Sequence, residues 1–130
     1  MKATELMIGD WVCLKDDTKC EFPLKVDGVL TDDISLEGEG FLGGVDGLIR
    51  PIPITPEILE KNGFIKVNSQ RYDYGYPDTD CYVKVNPKKN MIHTNGRNAN
   101  SNLYSHSFVH ELQRALRLCG LDELADNFKV

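Results

Sequence analysis

The stretch "RPIPITPEILEKNGF", Arg50 to Phe64, constrains this 130-residue chain more than any other. Pro51 and Pro53 bias the residues before them away from helix, so the chain must run extended there. Thr55 then carries a side-chain oxygen suited to a helix N-cap, with Pro56 at the first helical position and Glu57 near the positive end of the dipole. Gly63 suits the left-handed position that closes a helix. The pattern predicts a short helix over 56–62 with Ile58 and Leu59 turned inward. It also divides the chain into a part spanning 1–53 and a part spanning 54–130, expected to form one compact globule at a length typical of a single domain.

Before the divide, "DWVCL", "FPLKVDGVL", "DISLE" and "GLIRPIPI" are β-rich runs separated by Gly, Asp and Pro turn signals. Gly9-Asp10 and Thr31-Asp32-Asp33 read as tight connections. Several short strands in about fifty residues predict a small SH3-like barrel or curled meander, with Trp11 as its core anchor. The segment "EGEGFLGGVDG" contains a literal G-x-G-x-x-G at Gly38, Gly40 and Gly43. A dinucleotide site is excluded, because no helix follows and Glu37, Glu39 and Asp46 would repel a pyrophosphate. The segment reads as a mobile loop.

After the divide, Phe64 to Val67, Gln70 to Tyr76, Cys81 to Asn86 and Asn90 to His93 read as antiparallel strands, the last two joined by the "NPKKN" turn. "TNGRNANSNLYS" reads as a polar loop. Phe108, Val109, Leu112, Ala115, Leu116 and Cys119 recur on one helical face, Gly120 stops that helix, and "LDELADNF" forms a final short one. The expected class is α+β: an SH3-like β unit, a linker helix, then an antiparallel sheet packed against a C-terminal helix.

Charge is unevenly placed within the net −5. Residues 1–62 carry 13 acidic against 6 basic side chains, and residues 63–130 carry 7 against 9. Cys81 to His110 holds Lys84, Lys88, Lys89 and Arg97 and no carboxylate side chain, so an acidic half meets a basic strip. No apolar run approaches the ~20 residues of a membrane span, and "MKATELMIGDW" lacks the apolar core of a signal peptide. A cytoplasmic location and no membrane partner are expected. Cys13, Cys20, Cys81 and Cys119 include no C-x-x-C pair, which predicts free, packed thiols rather than a disulfide framework.

Three pieces, "ELMIGDWV", "PIPITPEILEKNGF" and "VHELQRALRLCG", together resemble a family of short uncharacterised proteins of gut Bacteroidetes, their phages and mobile elements. The resemblance implies an architecture and a bacterial or phage cytoplasmic setting. It carries over no catalytic residue.

Two constellations invite a chemical reading. In "YSHSFVHELQRALRLCG", His106 and His110 stand four apart with Glu111 behind them. The metalloprotease pattern places its glutamate between the histidines, and here two arginines crowd the pair instead. Projected at ~100° per residue, His106, His110, Gln113, Arg114 and Arg117 fall opposite the apolar face, a positive surface for phosphate or an acidic partner. In "RYDYGYP", Tyr72, Tyr74 and Tyr76 share one strand face near Lys84, Lys88 and Lys89, with Tyr82 on the next strand able to join. That is either a stacking platform for single-stranded nucleic acid or a half-buried sheet under the C-terminal helix. No nucleophile elbow or cysteine–histidine signature points to covalent catalysis. The expectation is a non-enzymatic interaction or accessory protein with a protein partner, no cofactor and no metal. Its candidate binding residues are Tyr72, Tyr74, Tyr76, Lys84, Lys88, Lys89, His110, Gln113, Arg114 and Arg117. The alternative is a nucleic-acid-binding module using the tyrosine strand and the basic residues, and a metal-dependent enzyme is a distant third.

Overall fold

A computed structural model describes residues 5–30, 33–38, 40–43, 49–75, 82–96, 99–104 and 108–130, with side chains at 5–30, 33–38, 49–74, 82–94 and 108–130. The class is α+β, with two antiparallel five-stranded sheets and helices at the C-terminal end. The chain divides into two compact units, Met1–Ile52 and Pro53–Val130.

The first unit is a sheet of β1 (Trp11–Leu14), β2 (Leu24–Val29), β3 (Asp33–Leu36), β4 (Gly40–Gly43) and β5 (Ile49–Pro51), in the order β4-β3-β2-β1-β5. The turn before β1 is built by its polar residues. Gly9, at φ +96°, donates its N–H to the Val26 carbonyl at 2.7 Å, and the buried Asp10 carboxylate accepts the Met7 N–H at 2.8 Å. The core is aliphatic: Leu6, Val12, Val26, Ile34, Leu36 and Ile49, with Leu14, Leu24 and Val29 packed around them. Each such side chain contributes roughly 1.5–3 kcal/mol by leaving water.

Trp11 is not the core anchor. Alternation sends Val12 into the core and leaves Trp11 half-buried, with the Lys25 ammonium 5.8 Å from the ring centroid and Lys25 directly across the strand pair. Part of the expected glycine-rich loop is ordered strand. Gly38, at φ +83°, turns the chain so that β4 pairs residue for residue with β3, from Leu36↔Gly40 to Asp33↔Gly43. Among the described residues no pairing joins β4 to β5, so the sheet is open. Cys13 and Cys20 are joined in a disulfide with Cα atoms 5.7 Å apart, inside the usual range for that bond. The expectation of free thiols fails there because the turn between β1 and β2 folds the chain back on itself. Cys119 is buried and stays outside any disulfide.

The second unit begins with α1 (Pro56–Lys61), where the Thr55 hydroxyl accepts the Ile58 N–H at 3.3 Å and Pro56 opens the helix. Gly63 follows at φ +84°. Then come β6 (Ile65–Lys66), β7 (Tyr72–Gly75), β8 (Tyr82–Asn86), β9 (Met91–Gly96) and β10 (Ala99–Tyr104), a meander in the order β10-β9-β8-β7-β6. A 3-10 turn at Pro87–Lys89, capped by the Asn86 side chain and ended by Asn90 at φ +51°, joins β8 to β9. The expected polar loop is largely strand: β9 runs on to Gly96 and β10 returns beside it in six register pairs. Cross-strand backbone pairing orders this amide-rich segment despite its weak β propensity.

Two helices complete the unit, α2 (Val109–Leu118), which packs on β9, and α3 (Asp122–Asp126), which packs on α2. Val109, Leu112, Ala115, Leu116 and Cys119 are buried, as are Tyr72, Val83, Val85 and Ile92 on the sheet. Asn62 ties the two ends of the unit together. Its amide donates to the Ile58 carbonyl at 2.8 Å and the Lys129 carbonyl at 2.7 Å, and its oxygen accepts the Lys129 N–H at 2.7 Å.

Candidate functional site

Strand parity sorts the aromatic and basic residues of the second sheet. Val83, Val85, Ile92 and Thr94 are buried, so they define the face turned to the core. Tyr72 lies opposite Val85 and Tyr74 opposite Val83, which places both tyrosines on that same face. Tyr72 is only 5% exposed, and the Tyr74 ring lies 5.4 Å from that of Phe64 and against Gly63. These two rings are packing, not a stacking platform. Tyr76 lies outside the described residues.

The opposite face carries the other half of the alternation. Ile65, Asp73, Lys84, His93 and Asn102 occupy consecutive register positions across all five strands. Lys84 sits with its ammonium 5.1 Å from the centroid of the Tyr82 ring, and that ring is 6.2 Å from the His93 imidazole, tilted by 44°. All three side chains are half-buried. A cation over an aromatic face is held by the ring quadrupole. Asp73 pairs with Arg71 at 3.2 Å on the flank, whereas β8, β9 and β10 contain no carboxylate side chain. Lys88 and Lys89 are exposed in the turn at the end of the β8–β9 hairpin. The result is a basic and aromatic sheet surface with hydrogen-bond donors and two ring faces.

The positive face expected on α2 does not form as projected. His110 is 6% exposed and stacks on Phe108, with ring centroids 6.2 Å apart and planes within 14°. Gln113 is fully buried and donates to the Ala125 carbonyl at 3.0 Å. The half-buried Arg117 reaches Asp126 at 3.7 Å. For Gln113 and Arg117 the physical reason is α3, which brings the Ala125 carbonyl and the Asp126 carboxylate to a flank that a single helix projected in isolation leaves to water. Arg114 alone of the four is exposed. Glu111 serves the helix itself, its carboxylate accepting the Phe108 N–H at 3.3 Å at the first turn. His106 lies outside the described residues.

Sequence reasoning missed His93 and placed Tyr82 with the wrong partners. The signal was present in "YVKVN", where two valines alternating with Tyr82 and Lys84 assign the latter pair to one face and the core to the other. Comparison with protein-family models, with curated proteins and with solved structures returns no match.

Proposed function

We propose that this protein is a small non-enzymatic interaction module, an accessory protein of a bacterium, phage or mobile element. It recognises its partner through the sheet face that carries Tyr82, Lys84 and His93. The observation that carries this reading is the convergence of those three side chains on one face of a carboxylate-free set of strands, Lys84 lying 5.1 Å from the Tyr82 ring. Aromatic rings with one apolar face and one polar edge are the usual anchors of recognition surfaces. The test is a photo-crosslinking residue placed at position 84 or at position 114 in cells of the native host. Specific adducts from position 84 and none from 114 are expected; equal or absent adducts refute the reading.

The same trio favours a second reading, in which the partner is single-stranded nucleic acid. Bases stack on the accessible parts of such rings while lysines follow the phosphates. Lys88 and Lys89 extend the positive strip beyond the hairpin end. Binding of labelled oligonucleotides must then fall steeply with salt through counterion release. It must also weaken in Tyr82→Ala and Lys84→Ala but not in Arg114→Ala. No binding at low salt removes this reading and leaves the protein partner.

The first unit we read as SH3-like. β5 returns to the free side of β1, which is the step by which a curled meander begins to close into a small barrel. Nuclear Overhauser contacts between β1 and β5, and none between β4 and β5, are expected of this open order; contacts between β4 and β5 would show a closed barrel instead.

A further inference from the structure

We infer that the turn between β1 and β2, once its disulfide is reduced, is a binding site for a soft divalent cation, zinc being the natural candidate. Its ligands are the Cys13 and Cys20 thiolates and the Asp17 carboxylate. One ligand atom from each of these residues lies within 4.8 Å of the others, the only such group of three among the described residues. A set of two sulfurs and one carboxylate oxygen matches zinc's preference for thiolate and hard oxygen donors, and three protein ligands leave the fourth tetrahedral position to water. The site belongs to the first unit and is independent of the recognition face proposed above.

The turn is held by bonds other than the disulfide. Asp17 donates its N–H to the Leu14 carbonyl at 3.1 Å, and its own carbonyl accepts the Cys20 N–H at 3.0 Å. Its two carboxylate oxygens accept one amide each, Glu21 N–H at 2.9 Å and Phe22 N–H at 2.8 Å. Arg50 grips the Asp17 carbonyl through both Nε, at 3.2 Å, and Nη2. Opening the sulfur–sulfur bond therefore leaves both thiols beside an oriented carboxylate. Each carboxylate oxygen keeps a lone pair, and hydrogen bonds of this outer-shell kind are what orient metal ligands.

Charge also fits. The Asp17 carboxylate is the oxygen ligand, and the amides of Glu21 and Phe22 fix where its remaining lone pairs point. Zinc bound to two thiolates and one carboxylate carries one net negative charge, and the Arg50 guanidinium beside the turn offsets it. Oxidation closes the site, because the disulfide has no thiolate to offer. A phosphine opens it by taking oxygen from water as phosphine oxide, with two electrons and two protons converting the disulfide to two thiols. Cation binding then displaces those two protons to solvent.

The test uses the full chain, reduced with a phosphine, passed through gel filtration with zinc, and assayed for retained metal. Cobalt serves as a spectroscopic substitute. One zinc per reduced chain, none on the oxidised chain, and a sulfur-to-cobalt charge-transfer band are expected. Cys20→Ser must lose affinity by more than the ~100-fold that an outer-shell change costs, and Asp17→Asn must weaken binding while keeping the band. Trp11 near-ultraviolet dichroism reports whether each variant is folded. The inference is overturned by a folded, reduced chain that retains no zinc, by Cys20→Ser binding as wild type, or by a chain that loses its fold on reduction.

Discussion

Asn62 looks, in the sequence, like the residue that happens to precede a helix-ending glycine. In the structure it is 7% exposed and makes three hydrogen bonds, two of them to Lys129, 67 residues away. No local pattern announces such a residue, because its partners are backbone groups brought near only by the finished fold. Removing a buried side chain that satisfies backbone groups costs its hydrogen bonds, each ~1 kcal/mol net, and leaves those groups unpaired. Asn62→Leu should therefore destabilise the second unit by about 2–4 kcal/mol, measured by urea denaturation at constant m-value. A neutral result would show that the tail does not need this clamp. The neighbouring Gly63 was legible, and two constraints meet there. Its φ is +84°, and an added Cβ would sit 3.4 Å from Cε2 of Tyr74. Gly63→Ala should cost roughly 1–2 kcal/mol from the left-handed backbone alone. Gly120, at φ +82° with open space beside it, provides the comparison, with only the backbone part to lose.

At the scale of elements, the turn between β1 and β2 has a pH dependence with a defined sign. Phe22 and Glu21 amides, then the Arg50 charge, hold the Asp17 carboxyl below its ordinary 3.8, against opposing desolvation. The folded-state value is the lower one, so this contribution is whole above pH 3.8 and is lost as pH falls through the folded value. The Glu21 and Phe22 amide resonances should move together on the acid side of 3.8 in wild type and stay still in Asp17→Asn. Movement at neutral pH would contradict the assignment. The elements themselves were unequally legible. α1 could be read end to end, because its cap, first-turn proline and closing glycine act within a few residues. β10 could not, because its Asn and Ser residues are ordered by pairing with β9 rather than by their own propensity. The same limit applied to α2. Its apolar stripe was plain, but the burial of Gln113 depends on where α3 docks, and that is a tertiary fact.

For the whole molecule, the informative division is between units that differ in charge. Residues 1–52 carry 11 acidic against 5 basic side chains, and residues 53–130 carry 9 against 10. The recognition face proposed for the protein lies wholly in the second unit, on β8 and β9, and that unit has its own sheet, three helices and a buried apolar set running from Ile58 to Phe128. Its two ends are fastened to each other by Asn62 and Lys129, so the stabilising contacts close within one stretch of chain. A fragment spanning 53–130 should consequently fold alone, with one cooperative thermal transition and amide resonances superposing on those of the full chain. If nucleic acid is the partner, the fragment should bind oligonucleotides more tightly than the full chain at low salt, because the −6 charge of residues 1–52 no longer repels the phosphates. The difference should shrink as added salt screens that repulsion. A fragment that binds more weakly than the full chain at every salt concentration would place part of the recognition surface in the first unit.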